Sequence, residues 1–149
     1  MKVLIIMFIA HFVADFLMQD RETAKNKSTQ FRYLFKHLMD IYSVILLSLL
    51  YFTGIYLAVK LAFCNMIIHG MIDWNIWRGY KWSVVRRITK SIKGPLFVYN
   101  LTDNKFESHA FQDALKNWKY WEDHWFYATI GFDQLLHGLT IIGLVWYFV

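Results

Sequence analysis

Histidine and aspartate recur four residues apart in three apolar stretches of this chain: His11 and Asp15 in HFVADFLMQ, His69 and Asp73 in HGMID, and Asp133 and His137 in FDQLLH. A fourth apolar stretch carries His37 and Asp40. On a helix, positions i and i+4 share a face, so each such pair presents an imidazole beside a carboxylate. These are ligand types for zinc and other transition metals, and a metal so held lowers the pKa of a bound water and polarises a scissile bond. The same groups also build buried polar networks without a metal, or proton and ion paths. All three readings need the side chains to point at one another, because an unpaired charge in hydrocarbon costs several kcal/mol.

The elements that must position these residues are those of a membrane protein. The 149 residues are 57% hydrophobic and 19% aromatic, with a mean hydropathy of +0.30, and the length suits one domain. Four stretches approach the roughly 20 residues that cross a bilayer as helix: about 1–19, 33–52, 55–77 and 125–149. The predicted fold is all-α, a polytopic membrane four-helix bundle with a long cytoplasmic segment, 78–124, between helices three and four. Only Thr53-Gly54 separates the second stretch from the third, which predicts a tight turn. The first stretch follows Lys2 as a secretory signal would, yet His11 and Asp15 within it predict a retained helix. The single Cys64 excludes an internal disulfide and any multi-cysteine zinc site.

All but Lys2 and Lys60 of the 16 Lys and Arg residues lie in or beside the first loop or in the 78–124 segment. Such residues collect on the cytoplasmic side, so both termini are predicted outside and the basic loops inside. All the Asp and His pairs then fall in the cytoplasmic half of the bundle. The expected metal ligands are His11, Asp15, His37, His69, Asp73, Asp133 and His137, holding one or two divalent ions, zinc or another transition metal. Asp15 or Asp133 would serve as general base. Gln19, one turn below Asp15, and Gln134, beside Asp133, would orient those carboxylates. Asp40 would support His37, and Lys27 would reach back over the cytoplasmic mouth. His109 and His124 read as surface or interfacial residues.

Within 78–124, KWSVVRRITKSIK places Trp82, Val85, Ile88 and Ile92 at helical spacing. That pattern predicts a helix lying on the inner leaflet, its cations from Trp82 to Lys93 among anionic headgroups, and ended by Gly94-Pro95. Membrane lipid is the expected partner. The apolar period accounts for the basic stretch without nucleic acid, so no nucleic-acid partner is expected, and oligomerisation stays open. The outer halves of helices two and four, SVILLSLLYF and LTIIGLVWYFV, are almost wholly apolar, which argues against a continuous ion path through one bundle.

The series H-F-V-A-D-F-L-M-Q, N-K-S, His37, H-G-M-I-D and F-D-Q-L-L-H resembles the small integral-membrane family of bacteria and their phages catalogued as domain of unknown function 3307. The resemblance covers the four helices and most of the chain. It implies an integral protein of a prokaryotic inner (cell) membrane, with His11, Asp15, Gln19, Lys27, His37, His69, Asp73, Asp133, Gln134 and His137 at family-type positions. The segment between helices three and four is longer than that pattern. The family name implies no activity. From the residues, the expected function is a membrane-embedded metal-dependent hydrolase acting on a lipid-linked or phosphorylated substrate at the cytoplasmic leaflet. The alternative is a non-enzymatic membrane protein, a proton or ion conductor or an interaction module, whose His/Asp layer fixes packing.

Overall fold

The structure is a computed structural model that describes residues 1–91, 99–100, 105–106 and 116–149. Gly94-Pro95, Ile92, Lys93 and His109 lie outside the described residues. Among the described residues the ordered elements are helices and one two-residue antiparallel pair, β1 (Tyr99–Asn100) with β2 (Lys105–Phe106). Helix α1 (Lys2–Phe12) runs into a π-helical turn, Val13–Leu17. The short α2 (Arg21–Asn26), α3 (Phe31–Thr53), α4 (Ile55–Ser91), a 3₁₀ turn at Tyr120–Glu122 and α5 (His124–Phe148) follow.

Among the described residues, three helices, α3, α4 and α5, are long and apolar enough to cross a membrane. The first stretch differs from the expected helix over 1–19. Its 11 α-helical residues and 5 π-helical ones reach roughly 24 Å at 1.5 Å per residue, against a hydrocarbon core of about 30 Å. Helix α3 is two residues longer at its start than the expected 33–52, and α5 matches the expected 125–149 to within a residue at each end. Gly54 has φ +74°, a conformation that costs a side-chain-bearing residue and that glycine adopts freely, so α3 and α4 meet at a single-residue hinge.

The larger departure is α4. It continues for 37 residues, about 55 Å, through the segment expected to start a separate surface helix at Arg78. Gly79 is the only weak helix former at the junction, and one glycine costs about 1 kcal/mol, too little to break a helix held on both sides. The buried face of this extension is Tyr80, Val84 and Ile88, packed against Trp77, Val85, Trp118, Tyr120 and Phe126. Trp82 is 63% exposed, as a leaflet-facing residue would be, whereas Ile88, expected on the same face, is buried against the protein.

Helices α1, α3, α4 and α5 pack in a ring, α1 against α3 and α5, and α4 against the same two. At the Gly54 end the core is apolar: Met7, Ile45, Leu49, Leu61, Ile141 and Leu144, with Ala58 and Ala62 one turn apart on α4. In lipid, apolar burial gains little over contact with acyl chains, and close backbone approach past small residues carries the packing. The outward faces stay apolar and exposed, with Ile9, Phe12, Leu47, Phe63, Leu139 and Ile142 among them. Polar side chains therefore sit inside the ring, toward the end opposite Gly54.

Candidate functional site

Each helix of the ring contributes to one buried polar cluster. Helix α1 supplies His11, and its π-helical turn supplies Asp15. Helix α3 supplies His37, α4 supplies His69 and Asp73, and α5 supplies Asp133 and His137; all are buried. The rings of His11, His69 and His137 meet at centroid distances of 5.2 Å (His11 to His69), 5.0 Å (His11 to His137) and 4.0 Å (His69 to His137, stacked). His37 joins them through Nε2, 3.0 Å from His69 Nε2.

The pairs four residues apart on one helix are not uniformly the closest contacts. His11 Nε2 is 3.9 Å from Asp15 Oδ2 and His137 Nε2 is 3.6 Å from Asp133 Oδ2, although His69 Nε2 lies 3.1 Å from Asp73 Oδ2. The cross-helix approaches are short: His37 Nε2 is 3.2 Å from Asp15 Oδ1 and 3.3 Å from Asp73 Oδ2. Asp73 is the hub, with no solvent exposure and with His37, His69, His137 and Lys27 around it.

Lys27 enters from outside the helices. The turn after α2 carries its ammonium into the cluster, 2.9 Å from Asp73 Oδ2 and 3.4 Å from both Asp15 Oδ1 and His37 Nε2. The contact with Asp73 is an ion pair whose angle does not make a hydrogen bond; Lys27 does donate one to Asp15. Several contacts hold this turn in place. Thr23 N donates to the capping Asp20 at 2.7 Å, Lys36 pairs with Asp20, and Lys81 donates to the Lys25 carbonyl and the Ser28 hydroxyl at 2.7 and 2.8 Å.

The expected supporting residues take other places. The helix ends at Leu17, so Gln19 leaves the His11–Asp15 stripe, and its amide lies 3.1 Å from His37 Nδ1. With the amide donating, His37 Nε2 carries the ring proton toward the carboxylates; with the amide turned, Nε2 is left as a free ligand atom. Gln134 donates to Asp15 Oδ2 at 2.9 Å and to Asp133 Oδ2 at 3.3 Å, bridging α1 and α5. Asp40 is half-buried and joins none of the cluster's contacts described here. His124 is exposed at the start of α5. Asn65, which the reading of the sequence passed over, is buried one turn from His69, and its Nδ2 has no partner. Its spacing of four from His69 was the signal.

The cluster's chemistry follows from what is left unpaired. Among the described residues, His11 Nδ1 and Nε2, His69 Nδ1, both Asp73 oxygens, Asp133 Oδ1 and His137 Nε2 are buried without a hydrogen-bond partner. Three overlapping groups offer ligand atoms within 4.8 Å of one another: His11, His69 and His137; Asp15, His37 and His69; and Asp15, Asp133 and His137. Three ligands at about 2.0–2.2 Å from one ion stand roughly 3.3–3.8 Å from one another, so closing any of these groups takes inward shifts of up to about an ångström. Three carboxylates against one ammonium leave an excess of two negative charges when the imidazoles are neutral. A divalent cation matches that excess, and the nitrogen and oxygen donors suit zinc and its neighbours.

A second polar cluster lies at the other end of the α4 extension. Asp123 caps α5, accepting from Trp125 N at 3.1 Å. It also accepts from Tyr80 Oη at 2.8 Å and from both terminal nitrogens of Arg87 at 2.9 and 2.7 Å. The Arg87 hydrogen bonds, opposed by burial, hold the Asp123 carboxyl down at about 2. The Arg87 guanidinium lies over the Trp118 ring at 5.2 Å.

A ring of apolar helices closed around a His, Asp and Lys interior defines a class: helical proteins with the composition of the membrane and a buried ionisable site. More particularly, the chain matches the family described as protein of unknown function (DUF3307) over residues 3–92 and belongs to it. That match takes in α1 to α4 and stops short of Asp133, Gln134 and His137, which the resemblance placed at family-type positions. No curated protein and no solved structure matches the chain.

Proposed function

We propose that the protein is a membrane-embedded metal-dependent hydrolase whose centre is the His11, His69 and His137 group with the carboxylates of Asp15, Asp73 and Asp133 around it. The observation that carries this reading is the set of unpaired buried atoms. A network evolved only for packing satisfies its polar groups, because each buried unpaired one costs about 1–3 kcal/mol; here His11 Nδ1 and Nε2, His69 Nδ1, Asp133 Oδ1 and His137 Nε2 lie in one cluster without a hydrogen-bond partner. A divalent ion held there supplies a Lewis acid and an acidified water. Asp133, with Oδ1 free, is placed to take a proton as general base. Asp15 has both oxygens engaged, Oδ1 by Lys27 and Oδ2 by Gln134, so that the two carboxylates differ in role.

In this reading the four helices of the ring form a bundle in a prokaryotic inner membrane. Both termini and the Gly54 turn face outward, and the loop carrying Lys27 and the 78–124 segment are cytoplasmic. The bias of basic residues supports that orientation. The substrate is lipid-linked or phosphorylated and arrives from the cytoplasmic leaflet, where exposed Trp82 and Arg86, stacked at 5.3 Å, meet anionic headgroups. Cysteine labelling at Lys25→Cys and Lys119→Cys in a Cys64→Ser background should report the cytoplasmic face, and external labelling at either overturns the topology.

Metal analysis of the detergent-purified chain tests the function. Wild type should hold stoichiometric metal, and His11→Ala, His69→Ala and His137→Ala should each lose it while remaining folded. Folded wild type that is metal-free after growth with added zinc, manganese or iron ends this reading.

One observation favours the non-enzymatic alternative: an ammonium already sits between Asp15 and Asp73. Two imidazolium ions would balance the remaining charge, and the cluster would then fix helix packing. A conductor within one copy is disfavoured by the apolar core at the Gly54 end, where among the described residues Asn65 is the nearest buried polar side chain beyond His69.

A further inference from the structure

We infer that Lys27 is a built-in second cation, so that the centre takes one metal ion where its donor set has room for two. The inference rests on the metal reading above and deepens it. Of the three candidate ligand groups, Asp15, His37 and His69 is the one the ammonium caps, lying 3.4 Å from both Asp15 Oδ1 and His37 Nε2. The His11, His69 and His137 group has no contact with Lys27 among the described residues, and His11 keeps both ring nitrogens unpaired. The two groups share His69, and the ammonium stands on the Asp15 and His37 side of it while the His11 and His137 side has no cation among the described residues.

Charge and anchoring agree with this division. With the ammonium in place, one divalent ion neutralises the three carboxylates; a second would leave a surplus of positive charge in a low-dielectric interior, where it is costly. Lys27 is 5% exposed, and its turn is tied down by the Asp20 cap, by Lys36 and by Lys81. Burial of so flexible a side chain costs up to about 2 kcal/mol in rotamer entropy, and the anchors on either side lower what remains to be ordered. The position is specified by the fold. An ammonium here does the electrostatic work of the second ion of a two-metal site, screening Asp15 from Asp73, while offering no open coordination position.

The test is metal content and thermal unfolding of the full chain in detergent, comparing wild type with Lys27→Met after loading with zinc or manganese and removal of excess. One ion per wild-type chain and two per Lys27→Met chain is the expected result. The second ion should raise the unfolding temperature of the variant and leave that of wild type unchanged. One ion in both proteins, or two in wild type, overturns the inference and leaves the metal centre standing. No ion in folded wild type removes the metal centre and this inference with it. Should Lys27→Met fail to fold without metal, recovery of folded protein on adding the divalent ion supports the inference, and failure to recover in its presence overturns it.

Discussion

The clusters at Asp73 and Asp123 are both buried, both join α4 to α5, and both bring a cation to a carboxylate. They differ in completeness. Asp123 accepts four hydrogen bonds, from Tyr80, Trp125 and the two arms of Arg87, which fills the roughly four acceptor sites of a carboxylate. Asp73 is less exposed, yet neither oxygen has a hydrogen bond of good geometry, and its neighbours His11, His69 and His137 also keep unpaired nitrogens. The Asp123 group works as a clamp: it caps α5 and ties the α4 extension to it. The Asp73 group is held by ion pairs to Lys27, His37 and His69 and leaves His11 Nδ1 and Nε2, His69 Nδ1 and Asp133 Oδ1 without a hydrogen-bond partner.

Three experiments break or sharpen that contrast. Asp73→Ala should have the largest effect, because it leaves the Lys27 ammonium buried beside fewer partners. Breaking a buried ion pair in this way costs about 3–5 kcal/mol, read as a loss of thermal stability in detergent, and metal content should fall with it. Asp123→Ala should cost less, about 1–3 kcal/mol for the stranded Arg87 and Tyr80, and should leave metal content unchanged. If metal is lost there too, the two clusters act as one unit and the contrast fails.

The smallest effect concerns pH. The Asp123 carboxyl is held down at about 2, from 3.8, chiefly by Arg87. A group whose folded pKa is depressed contributes stability that is complete above its unfolded pKa and disappears as pH falls through the folded one. The stability difference between wild type and Asp123→Asn should therefore hold steady above about pH 4 and shrink between pH 4 and 2. A difference that stays flat to pH 2 would mean that the clamp does not depend on the charge of Asp123.

Much of the site could be read from residue types and spacing. The Asp and His pairs lie on the inward faces because hydropathy and a period of four are local properties, and His11, His69 and His137 meet because each sits at a similar depth in its own helix. The same logic would have found Asn65, four before His69. It failed at Gln19, where the π-helical turn at Val13–Leu17 ends the stripe; nothing in VADFL marks that turn. It turned Trp82, Val85 and Ile88 to the leaflet and left out Tyr80 and Val84 because either register of KWSVVRRITK offers apolar residues at helical spacing. Which register is buried depends on Trp118, Tyr120 and Phe126, far along the chain.

The sequence by itself therefore determined where the apolar helices lie, though not the end of the first or the length of α4, together with the apolar exterior and the residue types of the interior, which follow from hydropathy and helical period within a window of some twenty residues. Tertiary structure decided which carboxylate faces which imidazole, that Gln19 meets His37 and Gln134 meets Asp15, and that the Lys27 ammonium reaches Asp15 and Asp73. These depend on the relative rotation of neighbouring helices and on the path of a short anchored turn. Both are set by contacts between residues distant in sequence, and local periodicity carries no record of them.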